Sequence, residues 1–433
     1  MLKRGFLVLF SAVYILMLVC APGTSLANNG DTDTDAEDAG RGAASNVPAP
    51  VISAPSALLM EAETGQVLYE KKPETPLHIS AANKLMAVLV AVENGNLSSF
   101  VTVSSDSVVT EGATLNLVVG EKYLLSDLLY SIMLVSANDA TTAVAEHISS
   151  GDTEKFVELM NQTAEKLGMT NTYFVNPTGL YDERQYTTAK DIALLVRYAI
   201  ANQQFNTIFS AKIKTWYGKN DARLLTSPIN LFWAYDGILG GKTGYNVKEK
   251  QSLICTASRT NMKLISVVLD TPEDAMMPDT TALLDYGFGN FWKSTLVSKN
   301  EIIKTVEHEG HEVRLISLSD ILYVHPIGES YIKEFEFSVD LKPPLKKTTP
   351  AGSATYILND GTEIRIGLYP ESEIVPVEDI KTRIQKRILE NKDIFLIVAV
   401  LVAIEALLLV ANVGKLIAKL ISFIQRRGRK GQE

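Results

Sequence analysis

The sequence predicts an α/β domain, with a mixed sheet built from both ends of the domain, flanked by helices, and a helical half beside it. A small all-β domain and one C-terminal transmembrane helix follow. Three observations carry this reading. Strand patterns open the ordered part, helical patterns fill its middle, and strand patterns return before Ser298. Beyond Ser298 the texture changes to short alternating strands separated by turn signals. From Ile394 to Val413 the chain is almost unbroken apolar sequence, long enough to cross a bilayer.

At the start, Lys3 and Arg4 precede an apolar run from Phe6 to Val19, and Ser25-Leu26-Ala27 offers small residues where a signal peptidase reads. Residues 1–27 are therefore expected to be a secretory signal. Cys20 raises a lipoprotein alternative, against which Val19 stands where a small residue is wanted. Removal of the signal leaves Cys255 without a disulfide partner, so the exported part must be held by its core. Residues 28–50, rich in Asp, Gly, Ala, Thr and Pro, read as a disordered linker.

The domain of residues 51–298 opens on a hairpin, Ala57 to Met60 and Gln66 to Tyr69 about a Thr64-Gly65 turn. Ala81 to Glu93 is a strongly apolar helix that stops at Asn94-Gly95-Asn96. Ser126 is placed as the cap of the next helix, with Asp127 in its first turn. Another helix runs from about Asp139 to Ile148, which leaves Ser136 and Asn138 at a break between two helices. Thr153–Leu167 and Thr188–Ala201 are helices by apolar period; Gln251–Ala257 and Leu264–Leu269 are strands joined by a tight turn around Arg259 to Asn261.

Residues 299–376 read as the β domain. Phe335, Phe337, Val339 and Leu341 alternate with polar residues, and Tyr356-Ile357-Leu358 and Ile364-Arg365-Ile366 flank Asn359-Asp360-Gly361-Thr362 as a hairpin. In 377–393, Ile380, Ile384 and Ile388 mark one face of an amphipathic helix leading into the span at 394–413. Glu405 interrupts that span and reads as tolerated rather than as a helix contact. The tail, 414–433, carries Lys415, Lys419, Arg426, Arg427, Arg429 and Lys430, a bias toward the cytoplasmic side. Signal and tail agree on a cell-membrane protein with one C-terminal span, an extracytoplasmic body and a cytoplasmic C-terminus.

A formal charge of −9 with 21% charged and 46% hydrophobic residues argues against nucleic acid as a partner. The five histidines show no metal spacing beyond His308-x-x-His311, which lies in a turn-like stretch and lacks the four-residue helical spacing of a zinc site. Neither a metal nor a cofactor is expected.

Three patches carry chemistry: Ala81-Ala82-Asn83-Lys84, Ser136-Ala137-Asn138 and Lys242-Thr243-Gly244. With them come Leu59-Met60-Glu61-Ala62-Glu63-Thr64-Gly65-Gln66-Val67-Leu68-Tyr69-Glu70, Phe174-Val175-Asn176-Pro177-Thr178-Gly179-Leu180 and Tyr186-Thr187-Thr188-Ala189. In this order, from Ser56 to about Ile374, the chain resembles the low-molecular-weight penicillin-binding proteins that act as serine-type D-alanyl-D-alanine carboxypeptidases. The resemblance implies a transpeptidase/β-lactamase-like domain, a β-rich domain and a membrane anchor. It implies peptidoglycan stem peptides ending in D-Ala-D-Ala as substrate, with β-lactams as possible ligands. It also implies site roles: Lys84 as base, Ser136 as proton relay, and Asn138 holding a substrate amide or Lys84. Lys242 and Thr243 would bind the terminal carboxylate, Gly244 would let the strand come close, and the N–H of Tyr245 would donate to the oxyanion.

The chain departs from the family at the nucleophile. Ala81 occupies the serine position of Ser-x-x-Lys, and Ser80 stands one residue earlier. In a regular α-helix that step swings a side chain by about 100° and shifts it by about 1.5 Å. Ser80 is thus the candidate displaced nucleophile if the turn is rearranged, or a mere helix cap if it is regular. Two functions follow: an active carboxypeptidase using Ser80, or an inactive homologue that binds stem peptides or wall-synthesis partners through the retained cleft. A β-lactamase is disfavoured, because no Glu-x-x-Leu-Asn motif lies between Asn176 and Asp191.

Overall fold

The computed structural model describes residues 47–429, except 219–221, 246–249, 309–310, 329–331, 342–344, 359–360 and 374–379. The expected signal and most of the expected linker lie outside the described residues. Val47 and Pro50, read from composition as linker, are held: Asn290 bonds both backbone groups of Val47, at 2.9 and 2.7 Å, and Tyr69 donates to the Pro50 carbonyl at 3.3 Å. Pairing to a distant side chain leaves no trace in local composition.

The chain opens on strands β1 (Ser56–Glu61) and β2 (Val67–Lys71), then helix α1 (Ser80–Asn94). A short strand pair follows, β3 (Phe100–Thr102) with β4 (Lys122–Leu124), and then helices α2 (Leu125–Val135), α3 (Asn138–Ile148), α4 (Thr153–Lys166), α5 (Ala189–Ala199) and α6 (Gln203–Phe209). Strands β5 (Ile213–Tyr217) and β6 (Ala222–Thr226) and a single turn, α7 (Leu231–Ala234), lead to β7 (Ile238–Tyr245), β8 (Gln251–Arg259), β9 (Met262–Thr271) and α8 (Glu273–Asn290). The main sheet has the order β2-β1-β9-β8-β7, drawn from both ends of the domain, and all four of its pairings are antiparallel.

Strand alternation sorts the core into two layers. Leu58, Met60, Ile254, Ile265 and Val267 join the core of the helical half. Ala57, Leu59, Leu253, Cys255, Leu264 and Val268 pack instead with Met276, Leu283 and Leu284 of α8. Helices cover both faces, so β8 and β9 read as nearly continuous apolar runs. Helix α1 lies at the centre of the helical half, with every residue from Ala81 to Val92 buried, Asn83 and Lys84 included.

Ser126 does not cap α2. The helix starts at Leu125 directly from β4, and its first N–H groups donate to the carbonyls of Ser99 and Leu97, at 2.9 and 3.1 Å, so no cap is needed.

The β-rich part comprises β10 (Phe291–Val297), β11 (Ile302–His308), β12 (His311–Ile316), β13 (Ile321–Pro326), β14 (Ile332–Val339), β15 (Gly352–Leu358) and β16 (Glu363–Pro370). Five strands form a sheet in the order β11-β12-β16-β15-β14, and β10 pairs with β13. The β15–β16 hairpin forms as the turn signal implied, while Phe335 and Phe337 on edge strand β14 stay 40% and 44% exposed. Their alternation therefore buries no second core face. His308 and His311 are backbone register partners of β11 and β12. Helix α9 (Ile380–Glu390) precedes α10 (Lys392–Arg429), whose segment Lys392–Ser422 contains an 18-residue window with a mean hydropathy of 3.1 and is long enough to span a membrane.

Candidate active site

The site forms where the N-terminus of α1, the α2–α3 break and the edge strand β7 converge. Helix α1 begins after Ile79 with no side-chain cap, and the Ala82 N–H donates to the Ile79 carbonyl at 3.0 Å, a tightened first turn. This local winding decides the orientation of Ser80. It neither caps the helix nor turns away: its Oγ donates to the Tyr245 carbonyl at the end of β7, at 3.1 Å. Ala81 is fully buried. A Cβ on Gly244 would lie 2.8 Å from both the Ser80 Oγ and the Ala81 nitrogen, so only glycine lets β7 approach the helix here.

Ser136 ends α2 in the left-handed conformation, with φ 57° and ψ 33°, and Asn138 starts α3 with its N–H on the Ala113 carbonyl at 2.7 Å. The break is held by Asp139, 1% exposed, whose carboxylate accepts from the backbone of Leu115 and Leu117 at 3.0 and 3.1 Å. Asn138 donates to the Glu111 carbonyl at 2.6 Å, and its Oδ1 is buried without a partner, an acceptor oxygen left for a ligand.

Lys84 and Lys242 are 5% and 1% exposed. Among the described residues no salt bridge involves either. Burial lowers the Lys84 pKa to about 8. Burial and, second to it, the nearby Lys84 charge lower that of Lys242 to about 7. The Lys242 ammonium donates to the Ser136 Oγ and, at 2.9 Å, to the Thr243 carbonyl. The Lys84 ammonium donates to the backbone carbonyl of Thr178. The structure therefore brings Ser136 to Lys242 and Ser80 to Tyr245. No hydrogen bond joins Lys84 to Ser80, Ser136 or Asn138.

Two contributors were not assigned from sequence. Thr178 supplies the carbonyl for Lys84, and Gly179, with φ +76°, lies against Ser80, where a Cβ would come within 2.7 Å of the Ser80 Cα. The Asn176-Pro177-Thr178-Gly179-Leu180 run was the available signal, since such a cluster marks a specific turn, but not what the turn touches.

A desolvated pair of lysines without carboxylates, beside an uncapped helix start, is a site for an anion and a source of a neutral amine near neutral pH. The D-alanyl-D-alanine carboxypeptidase family model matches residues 43–273, the stretch that contains every one of these side chains. The chain belongs to this family. It is 30% identical over 343 residues to the D-alanyl-D-alanine carboxypeptidase DacF of Bacillus subtilis, covering 76% of this chain and 86% of that one. It is also 30% identical over 336 residues to DacA of Haemophilus influenzae, covering 73% and 83%. Among solved structures, penicillin binding protein 5 from Haemophilus influenzae superposes with a TM-score of 0.67 at 27% identity, over 76% of this chain and 100% of that one. These likenesses cover more of the chain than the residues that the family model matches.

Proposed function

We propose that this chain is a serine-type D-Ala-D-Ala carboxypeptidase of the cell wall, acting on peptidoglycan stem peptides with Ser80 as its nucleophile. The observation that carries the reading is the Ser80 hydroxyl held on the Tyr245 carbonyl, beside Gly244 and two residues along β7 from Thr243. The terminal D-alanine carboxylate bonds Lys242 and Thr243, an anion that favours the charged form of Lys242. Neutral Lys84 keeps one N–H on the Thr178 carbonyl and turns its lone pair to the Ser80 proton. As that proton leaves, Ser80 Oγ bonds the penultimate D-alanine carbonyl carbon, whose oxygen becomes an oxyanion facing the N–H groups of Ser80 and Tyr245. The C–N bond then breaks, the leaving amine takes the proton through Lys84 and Ser136, and water hydrolyses the acyl-serine.

The apolar stretch of α10 anchors the chain, with the body outside and the basic tail in the cytoplasm; the residue 1–27 signal and the 414–433 charge bias support this orientation. β-Lactams, as stem-peptide mimics, occupy the same cleft.

Intact-mass measurement of the full-length chain after incubation with a penicillin tests the assignment. One penicilloyl group per chain is expected, absent in Ser80→Ala. An adduct that persists in Ser80→Ala moves the nucleophile elsewhere, with Ser136 first to be mapped. No adduct in wild type, where a working relative is labelled, leaves a cleft that binds without cleaving.

A further inference from the structure

Behind the first turn of α1 lies a buried polar cluster that touches none of the reacting atoms. Its centre is Gln185, 4% exposed. The Gln185 Oε1 accepts from Asn83 Nδ2 at 2.6 Å and from the backbone N–H groups of Val175 and Asn176 at 3.1 and 3.3 Å. Three donors on one oxygen fix the orientation of the carboxamide, so its nitrogen faces the other way. There it donates to the Leu180 carbonyl at 3.3 Å and stands 3.1 Å from His78 Nε2, which must accept and so carries no proton. Asn83 donates a second time, to the Asn176 carbonyl at 2.7 Å. Within the turn, Asn176 Oδ1 accepts from the Gly179 N–H at 2.7 Å and the Thr178 hydroxyl at 3.0 Å, and Asn176 Nδ2 donates to the Leu180 carbonyl at 2.9 Å.

The turn of residues 176–180 is therefore tied at both ends to one side chain, and in its middle it offers the Thr178 carbonyl to Lys84. Asn83 and Lys84 are consecutive residues of α1, so one turn of chain is clamped to the helix at two adjacent points. We propose that Gln185, with Asn83, is the positioning residue of Lys84: it fixes the 176–180 turn, and the turn's carbonyl aims the amine at Ser80. The inference rests on the reading of Lys84 as the base. A buried amine with three rotatable donors has no preferred direction of its own. The Thr178 carbonyl supplies one, since it accepts an N–H from the neutral amine and favours the ammonium that forms once the Ser80 proton is taken.

The test uses the full-length chain with Gln185→Leu, Gln185→Glu and Asn83→Ser. One readout is the rate of penicillin acylation as a function of pH. The other is the titration of the Lys84 side chain by lysine ¹³Cε resonances in a Ser80→Ala background, assigned with Lys84→Arg. Gln185→Leu is expected to slow acylation by about 10- to 100-fold and to move the Lys84 titration to lower pH, as the ammonium loses its acceptor. Gln185→Glu, which keeps an oxygen for the three donors but loses the N–H that holds the Leu180 carbonyl, recovers only part of the rate. Asn83→Ser shows the same changes in smaller measure, and decides alone if Gln185→Leu does not fold. An unmoved Lys84 titration in a folded variant overturns the proposal. If wild type is not acylated at all, the assignment of Ser80 falls, while the Lys84 titration still decides the role of Gln185.

Discussion

The cleft and the β1 end of the main sheet each bury a lysine and treat it in opposite ways. Lys84 and Lys242 have only neutral acceptors among the described residues, and their pKa values fall to about 8 and about 7. Lys293, its side chain 11% exposed, bonds Glu61 at 3.1 Å and Glu63 at 2.5 Å. Burial opposes its charge too, but the two carboxylates outweigh burial and raise its pKa. Glu61 is itself wholly buried and accepts from the Thr64 N–H at 2.7 Å, so the Lys293 cluster fastens β10 to the β1–β2 turn. Counter-charge makes a buried lysine a clasp. Its absence leaves a buried lysine with a lowered pKa, as the proposed roles of base and anion receptor require.

Breaking the cleft half of this comparison gives the largest effects. Lys84→Met is expected to lower the acylation rate by about 10²- to 10⁴-fold, the range for loss of a general base, in stopped-flow assays with a chromogenic penicillin. It should also raise the pKa of Lys242 from about 7, because the Lys84 charge is one cause of its depression. Lys242→Met removes a charge-assisted bond to the substrate carboxylate, expected to cost about 1.5–3 kcal/mol, or about 10- to 100-fold in kcat/KM. A loss confined to kcat in steady-state hydrolysis would contradict a role in binding the carboxylate.

The clasp half is sharpened by stability rather than rate. Lys293→Met strands the Glu61 carboxylate and is expected to destabilise the fold by about 1–3 kcal/mol in urea unfolding at neutral pH, with acylation retained. The pH dependence has opposite sign in the two regions. Lys293, raised in the folded state, stabilises below its unfolded pKa of 10.5 and loses that contribution as pH rises through its folded value. The cleft lysines, depressed, cost stability that is recovered as pH rises from about 7 toward 10.5. The smallest effect follows: Lys242→Met should be slightly more stable than wild type at neutral pH, with the gap closing at alkaline pH. A gap that widens with pH would reverse the sign of the argument.

Much of the fold was legible because its signals are local. The Thr64-Gly65 hairpin, the apolar helix from Ala81, the Ser136 break and the β8–β9 hairpin follow from turn residues and periodicity. The cap at Ser126 was misread because the helix already begins at Leu125, directly after β4, where the N–H groups of Leu125 and Ser126 bond the Ser99 and Leu97 carbonyls of the turn before β3. In the site, the motifs marked Lys84, Ser136, Asn138 and Lys242 in advance, but their pairing was not legible. The Lys84 partner is a backbone carbonyl, and carbonyls carry no sequence signature. Gln185 was invisible for a related reason: an isolated glutamine becomes a hub only when two backbone segments and a helix meet around it.

By itself the sequence determined the order of strands and helices, the apolar stretch before the basic tail, the three motif patches and the Ser80-Ala81 order ahead of Lys84. These are written in residue type and spacing, which local sterics and hydrophobic burial convert into structure directly. Only the tertiary structure decided where Ser80 points. Its direction depends on a first turn tightened between Ile79 and Ala82 and on β7 passing close enough, at Gly244, for the Tyr245 carbonyl to accept its hydrogen bond. Those contacts join residues more than 160 positions apart in the chain, and only packing brings them together.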